Sequence, residues 1–348
     1  ILVNKLQEKG YDIKLVLEKK QGIFLNEIDP KIKIIEYAPS NSKNKIQRKI
    51  INLIKRIKFT LKYKNKYDFS ASFATYSLPS SFVARTASKN CYLWGHADYL
   101  TLFDGNAEEM KEFFIERNYD KFKKIIFVSK EGKDSFIKVF PEMKEKTMVC
   151  NNLIDADKIL ELSKEKIPEE DLLKINKLEN TQKETTIFIN VGRHQEKQKK
   201  LSRLIEAATM LKKDNMNFKI IFIGDGPETE EYKKQVRNNQ LENNIIFLGK
   251  KQNPYPYFKI ADCVVLTSDY EGYPVVFLES FILEKPIITT KVSDYREVEN
   301  KYGFVTEKDT KDIYEKMKNF ILNGFEIKEK FDYKKYNEEI LKKIEDLF

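Results

Sequence analysis

Residues 268–279, SDYEGYPVVFLE, follow the apolar, β-branched run ADCVVLT (261–267) and lead into SFILEKP (280–286), whose apolar positions suit a buried helix. A strand therefore ends at a loop and a helix begins there, the repeating unit of an open parallel sheet. Gly272 permits close backbone approach to a ligand, whereas Pro274 fixes φ and removes a donor. Glu271 stands in the loop and Glu279 a turn or so into the helix. Such a loop gathers backbone N–H groups and a positive helix end where an anion can sit. Carboxylates beside a phosphate site repel the phosphate, so they are expected to hold hydroxyls. A nucleotide sugar offers hydroxyls on both its ribose and its hexose.

The pattern E-G-x-P-x-x-x-x-E (271–279), with Ser268 upstream and the strand K-P-I-I-T-T (285–290) downstream, resembles the retaining nucleotide-sugar glycosyltransferases of family GT4. That resemblance implies the GT-B fold: α/β, with two Rossmann-like doubly wound domains facing across a cleft. The alternative for the bare motif is an ordinary strand-to-helix loop with surface glutamates.

Length alone allows about two domains at ~150 residues each. The 63 Lys and Arg outnumber the 54 Asp and Glu, for a net charge of +9. Lys, Asn and Ile are so abundant that the basic balance discriminates poorly. No run of eighteen apolar residues occurs, so no transmembrane helix is expected. Cys91, Cys150 and Cys263 lack C-x-x-C spacing, which fits reduced thiols in the cytosol and argues against zinc. His96 and His194 are the only histidines, which makes a histidine-based metal centre improbable.

The chain opens at Ile1, and ILVNKLQEKG reads as the later turns of an amphipathic helix stopping at Gly10. In the resembled family a first strand and a glycine-rich turn precede such a helix. The expectation is therefore a fragment whose first sheet lacks its central strand, because strand one lies between strands two and four in doubly wound folds. The runs 11–17 and 31–37 are β-like and alternate with helical patterns. Between them and the next strand, Ile46, Ile50, Leu53, Ile54, Ile57 and Leu61 fall at helical spacing, with Arg48, Lys49, Lys55, Arg56, Lys58 and Lys62 on other faces. Such a basic amphipathic helix either packs on its own sheet with a solvated basic side or contacts anionic lipid headgroups. Nucleic acid is not expected as a partner, since no recognised motif accompanies the charge.

CYLWGHADY (91–99) places His96 and Asp98 at the C-terminal edge of a strand, where open α/β sheets bind ligands. On spacing alone a lone histidine is a structural hydrogen-bonder; the resemblance implies one facing the donor sugar across the cleft. From 157 to 183 the sequence is charged and weakly periodic, with Pro168 as a helix breaker, and reads as a hinge.

The stretch 185–211 gives a strand, a turn at Gly192-Arg193, and a helix with apolar Leu201, Leu204, Ile205, Ala208 and Leu211. A guanidinium and a lysine cluster at a strand end suit a diphosphate. The resemblance implies Arg193 and Lys199 for that role, with Lys197 and Lys200 as rivals because one extra residue follows Arg193. KIIFIGDGPE repeats the design: Gly224 and Gly226 let backbone approach a ligand, and Pro227 suits a first helical position. A strand ends at Gly249-Lys250, where related proteins hold the nucleobase. Tyr255, Tyr257 and Phe258 either stack on the base or belong to the core.

The expected organisation is an acceptor-binding domain over 1–165, a linker over 166–184, a donor-binding domain over 185–335, and a helix over 336–348 that crosses back to the first domain. The resemblance implies catalytic roles for Glu271, Arg193, Lys199 and His96. It implies donor contacts at Gly192, Gly224, Gly226, Gly249, Lys250, Gly272, Tyr273, Pro274, Val275 and Glu279. The donor would be a nucleotide-diphosphate sugar such as a UDP-sugar, the acceptor a glycan or lipid-linked sugar of a cell-surface polysaccharide. No metal and no cofactor are expected, and the location would be cytoplasmic, peripheral at the inner membrane face. The rivals are a nucleotide-sugar hydrolase or epimerase of the same fold, and an inactive partner subunit.

Overall fold

The computed structural model describes residues 1–176 and 185–348 and divides into two compact units, 1–153 with 337–348, and 154–336. The second half of the stretch read as a linker, 177–184, lies outside the described residues.

In the first unit, helix α1 (Leu2–Glu8) ends at Gly10, whose φ of +93° supplies the left-handed stop that the sequence implied. Strands β1 (Lys14–Leu17) and β2 (Lys33–Glu36) pair in parallel as a two-stranded ribbon. Helix α2 (Lys45–Tyr63) follows, capped by the Asn44 side chain. Then come β3 (Ser70–Ser72), α3 (Leu78–Ala87), β4 (Cys91–Gly95), α4 (Tyr99–Leu102), α5 (Ala107–Glu116), β5 (Lys124–Phe127), α6 (Lys130–Val139) and β6 (Thr147–Val149). Strands β3 to β6 form a parallel sheet in chain order, separate from the β1–β2 ribbon. The expected break in the sheet is present, and it falls between β1 and β3. The chain's last residues lie at this break: the Phe348 ring meets Tyr11 edge-on at 4.9 Å and Phe69 at 4.5 Å, and Tyr92 donates to the Leu347 carbonyl at 2.6 Å.

Helix α2 departs from one of the two readings of its sequence. Its inward face carries Phe59, which lies 5.0 Å from Tyr37, together with Asn52, which accepts from the Ser40 N–H, and Lys55, which donates to the Ala38 carbonyl. Ile46, Ile50, Leu53, Ile54, Ile57 and Leu61 are all exposed. The amphipathic pattern is as expected, but its apolar stripe points away from the unit's own core.

The second unit contains α7 (Ala156–Leu162), α8 (Glu169–Asn176), β7 (Thr186–Val191), α9 (Glu196–Lys199), α10 (Leu201–Lys213), β8 (Phe218–Ile223), α11 (Thr229–Asn238), β9 (Ile245–Gly249), α12 (Tyr255–Ile260), β10 (Cys263–Leu266), α13 (Val275–Ile282), β11 (Ile287–Thr290), β12 (Gly303–Thr306) and α14 (Thr310–Asn323). Helix α15 (Tyr333–Glu345) closes the chain. The stretch read as a hinge thus holds α7 and α8; Pro168 precedes α8 and accepts from the Asp171 N–H. The six strands are parallel in the order β12-β11-β10-β7-β8-β9, a doubly wound sheet. All the predicted apolar positions of α10 are buried, and they meet Phe188, Phe222 and Met317 in one core. The winding reverses between β7 and β10, and the crevice outside the strand ends at such a reversal is where open α/β sheets take ligands.

Candidate functional site

The loops that leave β7 and β10 meet at this reversal. Thr267 donates from its hydroxyl to the carbonyls of Lys199 (2.9 Å) and Lys200 (3.1 Å), and the Asp269 N–H donates to the Gln198 carbonyl (2.8 Å). Arg203 pairs with Asp269 and fixes the start of α10 against the β10 loop. With the backbones held in this way, side chains from the two loops converge on Glu271. Lys199 Nζ lies 2.6 Å from Glu271 Oε1, the Ser268 hydroxyl donates to the same oxygen at 2.7 Å, and Gln198 Nε2 donates to Oε2 at 3.2 Å. Glu271 is buried, and a buried charge needs such a complete set of partners.

The three rival lysines are separated by backbone geometry. Lys200 has φ of +48°, a left-handed residue that breaks the chain between α9 and α10. Lys199 therefore turns towards Glu271 and runs past Gly192, its Cε 3.5 Å from where a side chain at 192 would begin. Lys200 turns to Glu196 (3.7 Å) and Asp269 (3.8 Å), while Lys197 is exposed. Arg193 is exposed, and among the described residues its guanidinium has no hydrogen-bond or ion-pair partner.

Gly224 and Gly226 use their missing side chains for loop packing. A Cβ on Gly224, whose φ is +144°, would stand 1.8 Å from the Gly192 carbonyl oxygen, and one on Gly226 would stand 2.0 Å from that of His194. At both positions the side-chain direction is therefore filled by the neighbouring loop, which makes glycine a requirement of the loop packing itself. The Gly192 N–H in turn donates to the Ile223 carbonyl and the Gly224 N–H to the Gly249 carbonyl, so three strand ends are tied together. Gly249 has φ of +70° with open space beside it, and Lys250 points outward, 3.6 Å from Asp225. His194 is fully buried, with Nδ1 2.9 Å from the Thr229 hydroxyl, and burial lowers its pKa.

In the quoted loop, the Gly272 carbonyl accepts from the Ser293 hydroxyl at 2.6 Å, which pins the turn. Tyr273 is buried with its hydroxyl on Glu297, so its side chain belongs to the loop's support; only its backbone remains for a ligand. Pro274 sits at the cap position of α13 and Val275, its first residue, is exposed. Glu279 accepts from the Tyr255 hydroxyl at 3.2 Å. Burial pushes the Glu279 carboxyl up to about 7, against the lowering effect of that hydrogen bond. Tyr255, read as a possible stacking partner for a base, is thus the partner of Glu279, whereas Tyr257 and Phe258 are core residues. Gln198 carried no signal in the sequence beyond its nearness to Lys199. Among the described residues, no group of three His, Cys, Asp or Glu side chains is gathered to hold a metal ion.

In the first unit, His96 follows β4 and is exposed, its ring 5.8 Å from Phe73. Desolvation lowers its pKa, opposed by a hydrogen bond to the Phe73 backbone. Asp98, its neighbour in the motif, is spent on capping α4: it accepts from the Thr101 hydroxyl at 2.6 Å and the Thr101 N–H at 3.3 Å.

Residues 173–338 match the family model of glycosyl transferases group 1. The chain is 26% identical over 243 residues to an uncharacterized glycosyltransferase of Methanocaldococcus jannaschii, a match covering 70% of this chain and 58% of that protein. It is 26% identical over 203 residues to the N-acetylgalactosamine-N,N'-diacetylbacillosaminyl-diphospho-undecaprenol 4-alpha-N-acetylgalactosaminyltransferase of Campylobacter jejuni, covering 58% of this chain and 51% of that one. The chain thus spans little more than half the length of these curated relatives. Among solved structures, Anabaena HepE in complex with UDP and glucose superposes with a TM-score of 0.73 at 18% identity, over 95% of this chain and 91% of that one.

Proposed function

Because residues 173–338 belong to the glycosyl transferases group 1 and the fold is GT-B, we propose that this chain moves a sugar from a nucleotide-diphosphate sugar, such as a UDP-sugar, to a glycan or lipid-linked acceptor, with retention at the anomeric carbon. The bond from the anomeric carbon to the diphosphate breaks, the acceptor oxygen takes its place and loses its proton, and the added negative charge stays on the leaving diphosphate. The observation that carries this reading is the convergence of Lys199, Ser268 and Gln198 on Glu271 at the sheet's reversal, with Glu279 a helix turn away. Lys199 and Arg193 stabilise the leaving diphosphate, assisted by the N-terminal end of α13. A diphosphate arriving beside Lys199 competes with Glu271 for the ammonium, and Glu271 is then released to position the sugar or to support charge at its anomeric carbon. Glu279, held by Tyr255, takes the ribose hydroxyls. His96 orients the sugar. Relatives named for surface polymers and a diphospho-undecaprenol acceptor support a role in cell-surface polysaccharide assembly, and work at the inner face of a membrane is part of the same proposal.

Two cations on the leaving group make a divalent metal unnecessary. Losing one charged contact costs roughly 3 kcal/mol in the transition state, about a hundredfold in rate. Nucleoside diphosphate release from a panel of nucleotide sugars, with and without glycan acceptors, should therefore persist in excess EDTA and fall about a hundredfold in Lys199→Ala and Arg193→Ala. Loss in EDTA with rescue by Mn²⁺ would overturn the metal-free mechanism. Release of free sugar that no acceptor stimulates would make the chain a hydrolase, and no turnover of any donor would favour an inactive partner subunit.

A further inference from the structure

The strongest feature outside the site is the outer face of α2. Its positions 46, 50, 53, 54, 57 and 61 recur three and four apart and form one stripe of Ile and Leu, opposite Phe59, the helix's single fully buried side chain. The exposures are those of unpartnered side chains: 70% at Ile46, 58% at Leu53, 79% at Leu61. Elsewhere among the described residues the exposed large apolar side chains are single, apart from Phe73, Tyr76 and Leu78 after β3, and single ones need no partner. At about 1.5 Å per residue the stripe from Ile46 to Leu61 runs over about 23 Å.

The charges around the stripe identify what covers it. No Asp or Glu occurs between Glu36 and Asp68, so the helix and both its flanks are purely cationic. At about 100° per residue Lys49 and Lys58 border the stripe on either side, with Lys62 beyond Lys58. Two further cations are engaged by the unit itself: Lys55 donates to the Ala38 carbonyl at 2.8 Å, and the exposed Arg56 guanidinium lies 4.5 Å from the Phe82 ring centre. A protein partner's apolar groove would leave the bordering lysines to be desolvated or separately paired. A second copy of this chain would bring like charges together. An anionic lipid surface accepts both features, since the stripe enters the boundary of the acyl chains while the lysines stay among the phosphates. No helix of the described residues is long and apolar enough to cross a membrane, so the helix would lie in the surface plane.

We propose that α2 is a membrane-docking helix that seats its Ile and Leu stripe in an anionic lipid surface, with Lys49, Lys58 and Lys62 at the headgroups. Flotation tests this without any donor or acceptor, so its outcome is independent of the enzymatic reading. The full chain should float with vesicles of phosphatidylglycerol and phosphatidylcholine and stay behind with phosphatidylcholine alone. The triple variant Ile50→Ser/Leu53→Ser/Ile57→Ser and the triple variant Lys49→Gln/Lys58→Gln/Lys62→Gln should each lower partitioning at least tenfold. All six positions are exposed or lie on the outer surface of the helix, and unchanged far-UV circular dichroism would verify that both variants fold. Equal flotation of wild type and both variants overturns the proposal. So does a lipid-free, concentration-dependent dimer in sedimentation that the Ser variant abolishes, since the stripe would then be a self-association face.

Discussion

Glu279 shows how a single side chain can be costly in the free protein and useful in the complex. Its carboxyl is raised to about 7 in the fold from an ordinary value of 4.5. Between those limits the folded protein binds more protons than the unfolded chain, so stability falls as pH rises from 4.5 to 7. The full loss amounts to about 3 kcal/mol above pH 7. A ribose whose hydroxyls donate to the carboxylate would return part of that cost. Glu279→Gln should therefore raise the melting temperature of the free protein at pH 8 and leave it little changed at pH 5. Wild type should gain nucleotide affinity as pH rises through 7, and Glu279→Gln should weaken binding at pH 8 and flatten that gain. A variant no more stable than wild type at pH 8 would show that the carboxylate is solvated. Lys199 stood out from Lys197 and Lys200 only through the family resemblance, whereas the two glutamates and the Gly-Pro turn were legible because local sequence places them on one loop. Gln198 and the pairing of Tyr255 with Glu279 were not, because they depend on which loops the sheet order brings together.

At the scale of elements, the alternation of strand and helix from Ile187 to Thr290 was readable in full, since buried parallel strands are continuous apolar runs with helical periodicity between them. Two elements resisted, each for a physical reason. Helix α8 turns the carboxylate of Asp171 inward, fully buried beside Lys251 and the Tyr257 hydroxyl, so its inward face carries a charge where periodicity seeks an apolar residue. Helix α2 has the expected apolar stripe, but periodicity locates a face and not the direction in which it points. The glycines of the second strand-to-helix loop also have a packing role that the sequence did not show, leaving room for Gly192 and His194. Their substitution should then be a matter of folding. Gly224→Ala and Gly226→Ala force backbone against backbone and should cost roughly 3 kcal/mol or more in urea denaturation. Gly249→Ala, left-handed but in open space, should cost about 1–2 kcal/mol. Similar costs at all three positions would mean that the two loops part readily.

The two units of the molecule differ in how completely their sheets are joined, and this should govern how the chain unfolds. The second unit has one six-stranded sheet with a shared core, whereas the first has a ribbon, β1–β2, that shares no ladder with β3–β6. A two-stranded ribbon is marginal by itself, and none of the residues of β1 is fully buried, while every residue of β4 is. Helix α2 adds one buried side chain to that side of the unit. What joins ribbon to sheet includes the chain's end, through Phe348 against Tyr11 and Phe69 and through the Lys9–Glu345 ion pair at 2.9 Å. That ion pair is exposed and contributes little, so the aromatic contacts carry most of what the chain's end adds to the join. The single tryptophan, Trp94, lies in β4 and stacks on Phe73 at 4.5 Å, so its fluorescence reports the first unit alone. In urea its transition should come at a lower concentration than the main loss of far-UV circular dichroism, to which the helices of both units contribute. Phe348→Ala should move the fluorescence midpoint further down and leave the later transition in place. Coincident transitions in wild type would mean that the divided sheet is as cooperative as the continuous one, and the difference in stability between the units would then be refuted.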